Sequence, residues 1–242
     1  MELFTDRLVS DAASPVVTYY DQSTGERIEL SALTFDNWVA KTANLLCDEL
    51  LVDDGDLVRL DLPLHWQSLV WLHASWAAGA AVEIGVAASD SASTPAVTVT
   101  TAARMNDAVG DEIVVLSMRP LGLPCLEPLP SGVFDYALAV PGHGDRFSHS
   151  PIPGDGLALS IDGAARRHDE ITTLAIEFGL APHERVLRQG SFTTLDDVVQ
   201  SWAAPIVEGG SVVIVVADPA DDAATAAQRL ERIVADERVT RR

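Results

Sequence analysis

The sequence predicts an α/β protein with largely parallel sheets. Three observations carry that prediction. Strand-like apolar runs alternate with helix-length segments whose apolar residues recur every three to four positions. The run SVVIVV (211–216) has no polar alternation, as expected of a parallel strand covered on both faces. And 48% of the 242 residues are hydrophobic although the net charge is −20, which is too much apolar material for a disordered acidic chain.

Each element follows from local signals. VVTYY (16–20) and ERIEL (26–30) flank Gly25 and read as a hairpin. A helix follows over about 35–50, because Phe35, Trp38, Val39, Thr42, Leu45, Leu46 and Leu50 share one face. Thr34 is its expected N-cap, with Asp36 in the first turn. The turn DDGD (53–56) leads into a strand LVRLDL (57–62), stopped by Pro63. A helix from about 66 to 78 ends at Gly79, and AAVEI is the strand after it. VTVT (97–100), IVVL (113–116) and FDYAL (134–138) are short strands. Residues 119–153 are rich in Pro and Gly and read as loop. LALSI (157–161) is an apolar strand, and a helix starts near His168 with Ile171, Leu174, Ala175 and Phe178 inward. ERVLRQ is a strand. Thr194 caps a helix with Asp196 and Asp197 in its first turn, kinked at Pro205 and stopped by Gly209 and Gly210. The last helix turns Ala226, Leu230, Ile233 and Val234 inward.

Composition excludes several functions. Thirty-six acidic residues against 16 basic ones cannot supply the basic surface that nucleic acid requires. The same charge opposes docking on anionic lipid. The stretch 69–88 is apolar but carries His73 and Glu83, and it reads as a buried helix running into a strand rather than a membrane span. The N-terminus, with Glu2, Asp6 and Asp11, lacks the basic and apolar regions of a signal peptide. Cys47 and Cys125 read as free, partly buried thiols, which places the protein in the cytoplasm.

Chemical motifs are scarce. No HExxH, zinc spacing or G-x-S-x-G elbow occurs. His143 and His149 share a loop with Asp145, a pattern that reads as exposed loop histidines. Asp53, Asp54 and Asp56 lack the remaining ligands of a calcium loop and read as a solvated turn. Trp66, Trp71 and Trp76 step by five along one helix and therefore read as core packing. The expectation is no catalytic residue, no metal and no cofactor.

Two stretches do carry a resemblance. Residues 25–82 (GERIELSALTF…WAAGAAV) and 157–215 (LALSIDGAARRHDEI…EGGSVVIV) resemble the large N-terminal domain of the adenylate-forming, acyl-CoA synthetase-like ligases. The first matches a threonine-led helix, a Gly-Asp turn, a strand ending in Leu-Pro and a helix ending in Ala-Gly-Ala. The second matches the phosphate-loop region, a Gly-Leu-x-Pro turn and a helix before a valine-rich strand. The resemblance implies two stacked, mostly parallel sheets flanked by helices. It further implies that residues 52–162 form a first subdomain and that 1–51 join 163–242 in a second, with SVVIVV beside ERVLRQ and away from LALSI.

The departures from the pattern define the functional expectation. Family members carry a Ser/Thr/Gly-rich loop and Pro-Lys-Gly that cradle the ATP phosphates. Here the place reads Ser160-Ile161-Asp162-Gly163-Ala164-Ala165-Arg166-Arg167, without the hydroxyl cluster and the lysine. Ser160, Asp162, Gly163, Arg166 and Arg167 are the candidate ligand-binding remnant. Arg166 and Arg167 read either as an anion grip or as exposed arginines starting a helix. Ser191-Phe192-Thr193-Thr194 stands where the family commonly has an aromatic–histidine pair. The family's Tyr-Gly-x-Thr-Glu motif, ribose-binding aspartate and catalytic lysine are absent from the sequence, and Lys41, its sole lysine, falls on the wrong element. The resemblance thus implies the family fold without the family chemistry: a non-catalytic relative acting by protein contact, as a homodimer or with a protein partner. The alternatives are a module binding an acyl group or adenosine nucleotide, and one half of a split ligase.

Overall fold

The computed structural model describes residues 8–9, 11–85, 94–148, 153–161 and 163–242. Two sheets organise it. The larger has seven strands in the order β7-β6-β5-β3-β4-β8-β9, and the smaller has four in the order β10-β11-β1-β2. The larger sheet comprises β3 (Leu57–Asp61), β4 (Ala81–Ile84), β5 (Val97–Thr101), β6 (Glu112–Leu116), β7 (Val133–Asp135), β8 (Leu157–Ile161) and β9 (Ala164–Arg167). All its pairings are parallel except β8 with β9. In the smaller sheet β10 (Arg185–Arg188), β11 (Ser211–Val216) and β1 (Pro15–Asp21) run parallel, and β2 (Glu26–Ser31) closes the expected hairpin with β1. SVVIVV is therefore a central strand paired with β10 and β1, in a different sheet from LALSI, and Val212 to Val215 are buried as its unbroken apolar run requires.

Helices cover both sheets. They are α1 (Ala32–Asn44), α2 (Trp66–Ala77), α3 (Tyr136–Ala139), α4 (His168–Glu177), α5 (Leu195–Val198), α6 (Ala204–Val207) and α7 (Ala223–Asp236). Helix α2 touches strands of both sheets, and all twelve of its residues are buried. That is why its large apolar residues are spread around the helix rather than gathered in one stripe. Trp66, Trp71 and Trp76 accordingly point into the core on different sides.

Three local expectations are corrected. The cap of α1 is Ser31, whose hydroxyl accepts the Thr34 N–H at 3.2 Å; Thr34 and Asp36 lie inside the helix. The helix ends in a π-helical turn, Leu45–Glu49. FDYAL is only half strand, because the Asp135 carboxylate accepts the Ala137 N–H at 3.0 Å and starts α3. Thr194 does cap α5, and the helix around Pro205 continues through a π-helical turn, Val199–Ala203. That offset lets proline sit in α6 without a clash.

Two packing features yield predictions. A Cβ on Gly210 would lie 2.2 Å from the Glu184 carbonyl oxygen. Gly210→Ala is therefore expected to cost about 1–3 kcal/mol by displacing backbone, measured by urea denaturation. His65 caps α2 with Nδ1, which accepts the Gln67 N–H at 3.2 Å, and packs edge-on against Tyr19 with ring centres 4.4 Å apart. Burial pushes its pKa down to about 3. The unfolded chain takes up this proton near pH 6.5, whereas the folded chain resists until near 3. The stability His65 provides is complete above pH 6.5 and declines as pH falls towards 3. His65→Asn keeps a capping oxygen and removes the titration. Between pH 6 and pH 5 it is expected to lose about 1 kcal/mol less stability than the parent. Equal losses in urea titrations at the two pH values would contradict this assignment.

Candidate functional site

The segment that the sequence aligns with a phosphate loop is a tight hairpin. β8 joins the parallel sheet through Val82↔Leu159 and Glu83↔Ser160. β9 then returns antiparallel to it, with Ser160↔Ala165 and Ile161↔Ala164. Only two residues separate that last pair. Gly163 has φ +76°, the left-handed conformation that a two-residue hairpin needs and that glycine adopts without a steric penalty. Residues 164–167 are thus an edge strand, which corrects the expectation that the arginines begin a helix. Helix α4 starts at His168, and its Glu170 carboxylate reaches back to accept the Arg167 N–H at 2.7 Å.

The hairpin decides where each candidate residue goes. Asp162 lies outside the described residues. Ser160 is half-buried on β8, next to the outer strand, and Gly163 is exposed at the turn. Arg166 and Arg167 are consecutive strand residues, so their side chains leave opposite faces of the sheet and do not converge. An Arg166 Nη1–H donates to the Ala165 carbonyl at 2.9 Å. Arg167 instead lines a hollow of about 420 Å³ with Asp155, Leu157, Ala165, Asp169 and Glu170. Three acidic residues and one arginine line it. A bound phosphate would meet net repulsion, each unit-charge pair at 4 Å being worth about 1–4 kcal/mol between bulk water and a protein surface. Asp155, Asp169 and Glu170 were not singled out from the sequence. The signal that points to the hairpin is the Asp162-Gly163 pair after the apolar run LALSI, a dipeptide favoured where a two-residue turn joins two strands.

The other motif positions are occupied by structural roles. The Asp197 carboxylate accepts from Ser191 Oγ at 3.0 Å and from the N–H groups of Thr193 and Thr194 at 2.9 and 3.0 Å. Burial alone would raise its pKa; these hydrogen bonds hold it below the ordinary carboxylate range. Phe192 is buried beneath this cap. Lys41 Nζ donates to the His143 carbonyl at 2.6 Å, and the His143 ring pairs with Glu49 at 3.1 Å. The sole lysine thus anchors a loop on α1. His149 lies outside the described residues. Among the described residues no three His, Cys, Asp or Glu side chains group as metal ligands, and no helix is long and apolar enough to cross a membrane.

Known proteins share this architecture. No family model matches the sequence. An acyl-CoA synthetase from Brucella canis superposes with a TM-score of 0.77 at 15% identity, over 98% of this chain and 45% of its own. Acetoacetyl-CoA synthetase from Streptomyces lividans gives 0.75 at 17% identity, over 99% of this chain and 41% of its own. The N-terminal domain of FACL13 from Mycobacterium tuberculosis gives 0.72 at 14% identity, over 98% and 60%. The chain therefore has the fold of the N-terminal domain of acyl-CoA synthetases, and it spans about half the length of those structures. A Mycobacterium tuberculosis sequence described as a TIGR03089 family protein is 40% identical over 244 residues, covering 97% of this chain and 93% of that one. Likeness of that extent and degree makes this chain a member of the TIGR03089 protein family.

Proposed function

We propose that this protein is a non-catalytic relative of the adenylate-forming ligases and acts by contact with another protein. The observation that carries the reading is the two-residue β8–β9 turn in place of a phosphate loop. Adenylation is mainly positioning and electrostatic stabilisation of a polyanionic transition state. A phosphate loop achieves both by turning several free N–H groups towards one centre. In a tight hairpin the backbone groups beside the turn are committed to the strand ladder, and the adjoining hollow is lined by three acidic residues against one arginine. The same charges weigh against Arg166 and Arg167 as an anion grip, and so against a nucleotide-binding module.

Contact with a protein is supported by large apolar side chains left at the surface. Leu121, Leu126 and Leu138 are each about 70% exposed or more. The partner in this reading is a second copy of the chain or a ligase it accompanies, in the cytoplasm, where Cys47 and Cys125 stay free. The high negative charge turns away nucleic acid and anionic membranes.

Sedimentation equilibrium from low to high micromolar concentration, paired with an ATP–pyrophosphate exchange assay, tests the reading. A concentration-dependent dimer mass without exchange is expected. A monomer throughout would contradict self-association, and exchange above background would contradict the loss of chemistry. Exchange that appears only when a second chain co-purifies would identify a split ligase.

A further inference from the structure

We infer that β9 is a self-recognition edge: it pairs antiparallel with β9 of a second copy of the chain, whose Arg167 reaches the acidic hollow beside it. The inference rests on the reading that the protein acts by protein contact, and it names the surface and its occupant. An edge strand presents a row of backbone N–H and C=O groups to any strand that approaches, and proteins ordinarily cover or blunt it. The two sheets have four outer strands, β7, β9, β10 and β2. Three of them are guarded. Along β10, the Leu187 N–H donates to the Arg241 carbonyl at 2.8 Å and the Arg185 carbonyl accepts the Thr240 N–H at 3.0 Å. β2 carries Glu26, Arg27 and Glu29, and the Leu121 N–H donates to its Glu26 carboxylate at 2.5 Å. β7 is three residues long, and its Asp135 carboxylate accepts the Cys125 N–H at 2.8 Å, which holds a loop to it. On β9, Ala164, Ala165 and Arg167 are exposed, and among the described residues no strand lies outside it.

Charge selects the occupant. The hollow of about 420 Å³ beside β9 is lined by Asp155, Asp169 and Glu170 against Arg167 alone, so it draws a further cation. Arginines on an edge strand repel an indiscriminate basic guest, while the acidic residues beside them favour a strand that carries arginine. Ala164-Ala165-Arg166-Arg167 is such a strand, already extended. When two identical strands pair antiparallel, the two-fold axis stands perpendicular to the sheet. Both Arg167 side chains then leave on the face of the hollow.

The side chains suit a pair centred on Ala165. Each Arg166 then lies opposite an Ala164 rather than opposite its own like charge. Each Arg167 lies diagonal to the other copy's Ala165, about 7–8 Å away, within reach of a long side chain. Ala165 lines the hollow, so that reach ends among the acidic residues. Apolar surface flanks the edge as well. Leu157, which lines the hollow, is 46% exposed, and Ile176, two turns beyond Asp169 on the same side of α4, is 56% exposed. Leu138 follows β7, at the opposite edge of the same sheet, so the two surfaces are tested apart.

The test is disulfide trapping of the full chain with Cys47 and Cys125 replaced by serine. Ala165→Cys and Leu138→Cys are compared under a mild oxidant at micromolar concentration. Residues directly opposed in antiparallel strands have Cα atoms about 4.5–5.5 Å apart, which a disulfide spans. Ala165→Cys is expected to convert mostly to covalent dimer, and Leu138→Cys to stay monomeric. Independently, Arg167→Glu should raise the dimer dissociation constant in sedimentation equilibrium by at least about tenfold, because it adds a fourth acidic residue to the hollow. Raising the salt to about 0.5 M should weaken the native dimer in the same direction. Trapping at Ala165 no faster than at Leu138, or a dissociation constant unchanged in Arg167→Glu, overturns the inference. If the native chain still dimerises with those results, contact between copies stands and its surface lies elsewhere. A native chain that stays monomeric overturns the inference while leaving contact with a different protein.

Discussion

Replacing Glu83 by alanine is expected to destabilise the protein by about 3–5 kcal/mol, because it strands a buried cation. Arg59 on β3 and Glu83 on β4 are register partners, and Arg59 Nε–H donates to Glu83 Oε2 at 2.6 Å. The Arg59 side chain is 3% exposed, on a central strand between its register partners Glu83 of β4 and Thr98 of β5. Arg59 Nη1–H also donates to the Val109 carbonyl at 3.2 Å, which cannot neutralise a full charge. Removing both partners should cost far less than removing one. Arg59→Met with Glu83→Leu fills similar volume and leaves Val109 with its second donor, Thr98 Oγ1 at 2.7 Å. Urea denaturation of the two single variants and the double variant closes the cycle. A loss under about 1 kcal/mol in Glu83→Ala, the range of exposed ion pairs, would show that water reaches Arg59.

Trp202→Ala is expected to cost about 3–5 kcal/mol and to weaken both sheets together. Trp202 sits in the π-helical turn before α6, against elements that serve both layers. Its ring lies 4.5 Å from Phe35 of α1 and edge-on at 5.6 Å to His73 of α2. Its Nε1–H donates to His73 Nδ1 at 3.3 Å. A cavity here would remove contacts from α1 and α2 at once, in an interior with little room to collapse. Trp202→Phe keeps most of the packing and drops the hydrogen bond, so about 1–2 kcal/mol of the loss should remain. Far-ultraviolet dichroism and tryptophan fluorescence should report one coincident thermal transition in both variants. Two separated transitions would show that the sheets fold independently of this contact.

Much of the fold could be read from the residues because it follows from periodicity. The apolar strand SVVIVV, the Val/Ile-rich runs at 97–100 and 113–116, and the all-round apolar helix 66–77 each admit one burial pattern. The errors arise where a short side chain competes with the pattern. Ser31 caps α1 earlier than the apolar spacing suggests, and Asp135 starts a helix inside a run that reads as strand, since one side-chain hydrogen bond outweighs a few residues of pattern. The candidate site was legible as a place but not as a shape. The sequence shows that the hydroxyls and the lysine are missing, while the identity of the replacement depends on how Ile161 and Ala164 pair across Asp162-Gly163. The hollow beside Arg167 arises because β9 brings Ala165 and Arg167 alongside Leu157 and the first turn of α4, a juxtaposition that no local spacing encodes.

The fate of the phosphate loop is tested most directly by calorimetric titration of the purified chain with Mg·ATP. The hairpin and its three carboxylates predict no saturable heat at millimolar nucleotide. A saturable one-to-one isotherm, weakened when Arg167 is replaced by alanine, would contradict it by showing that the turn at Gly163 still receives a polyphosphate.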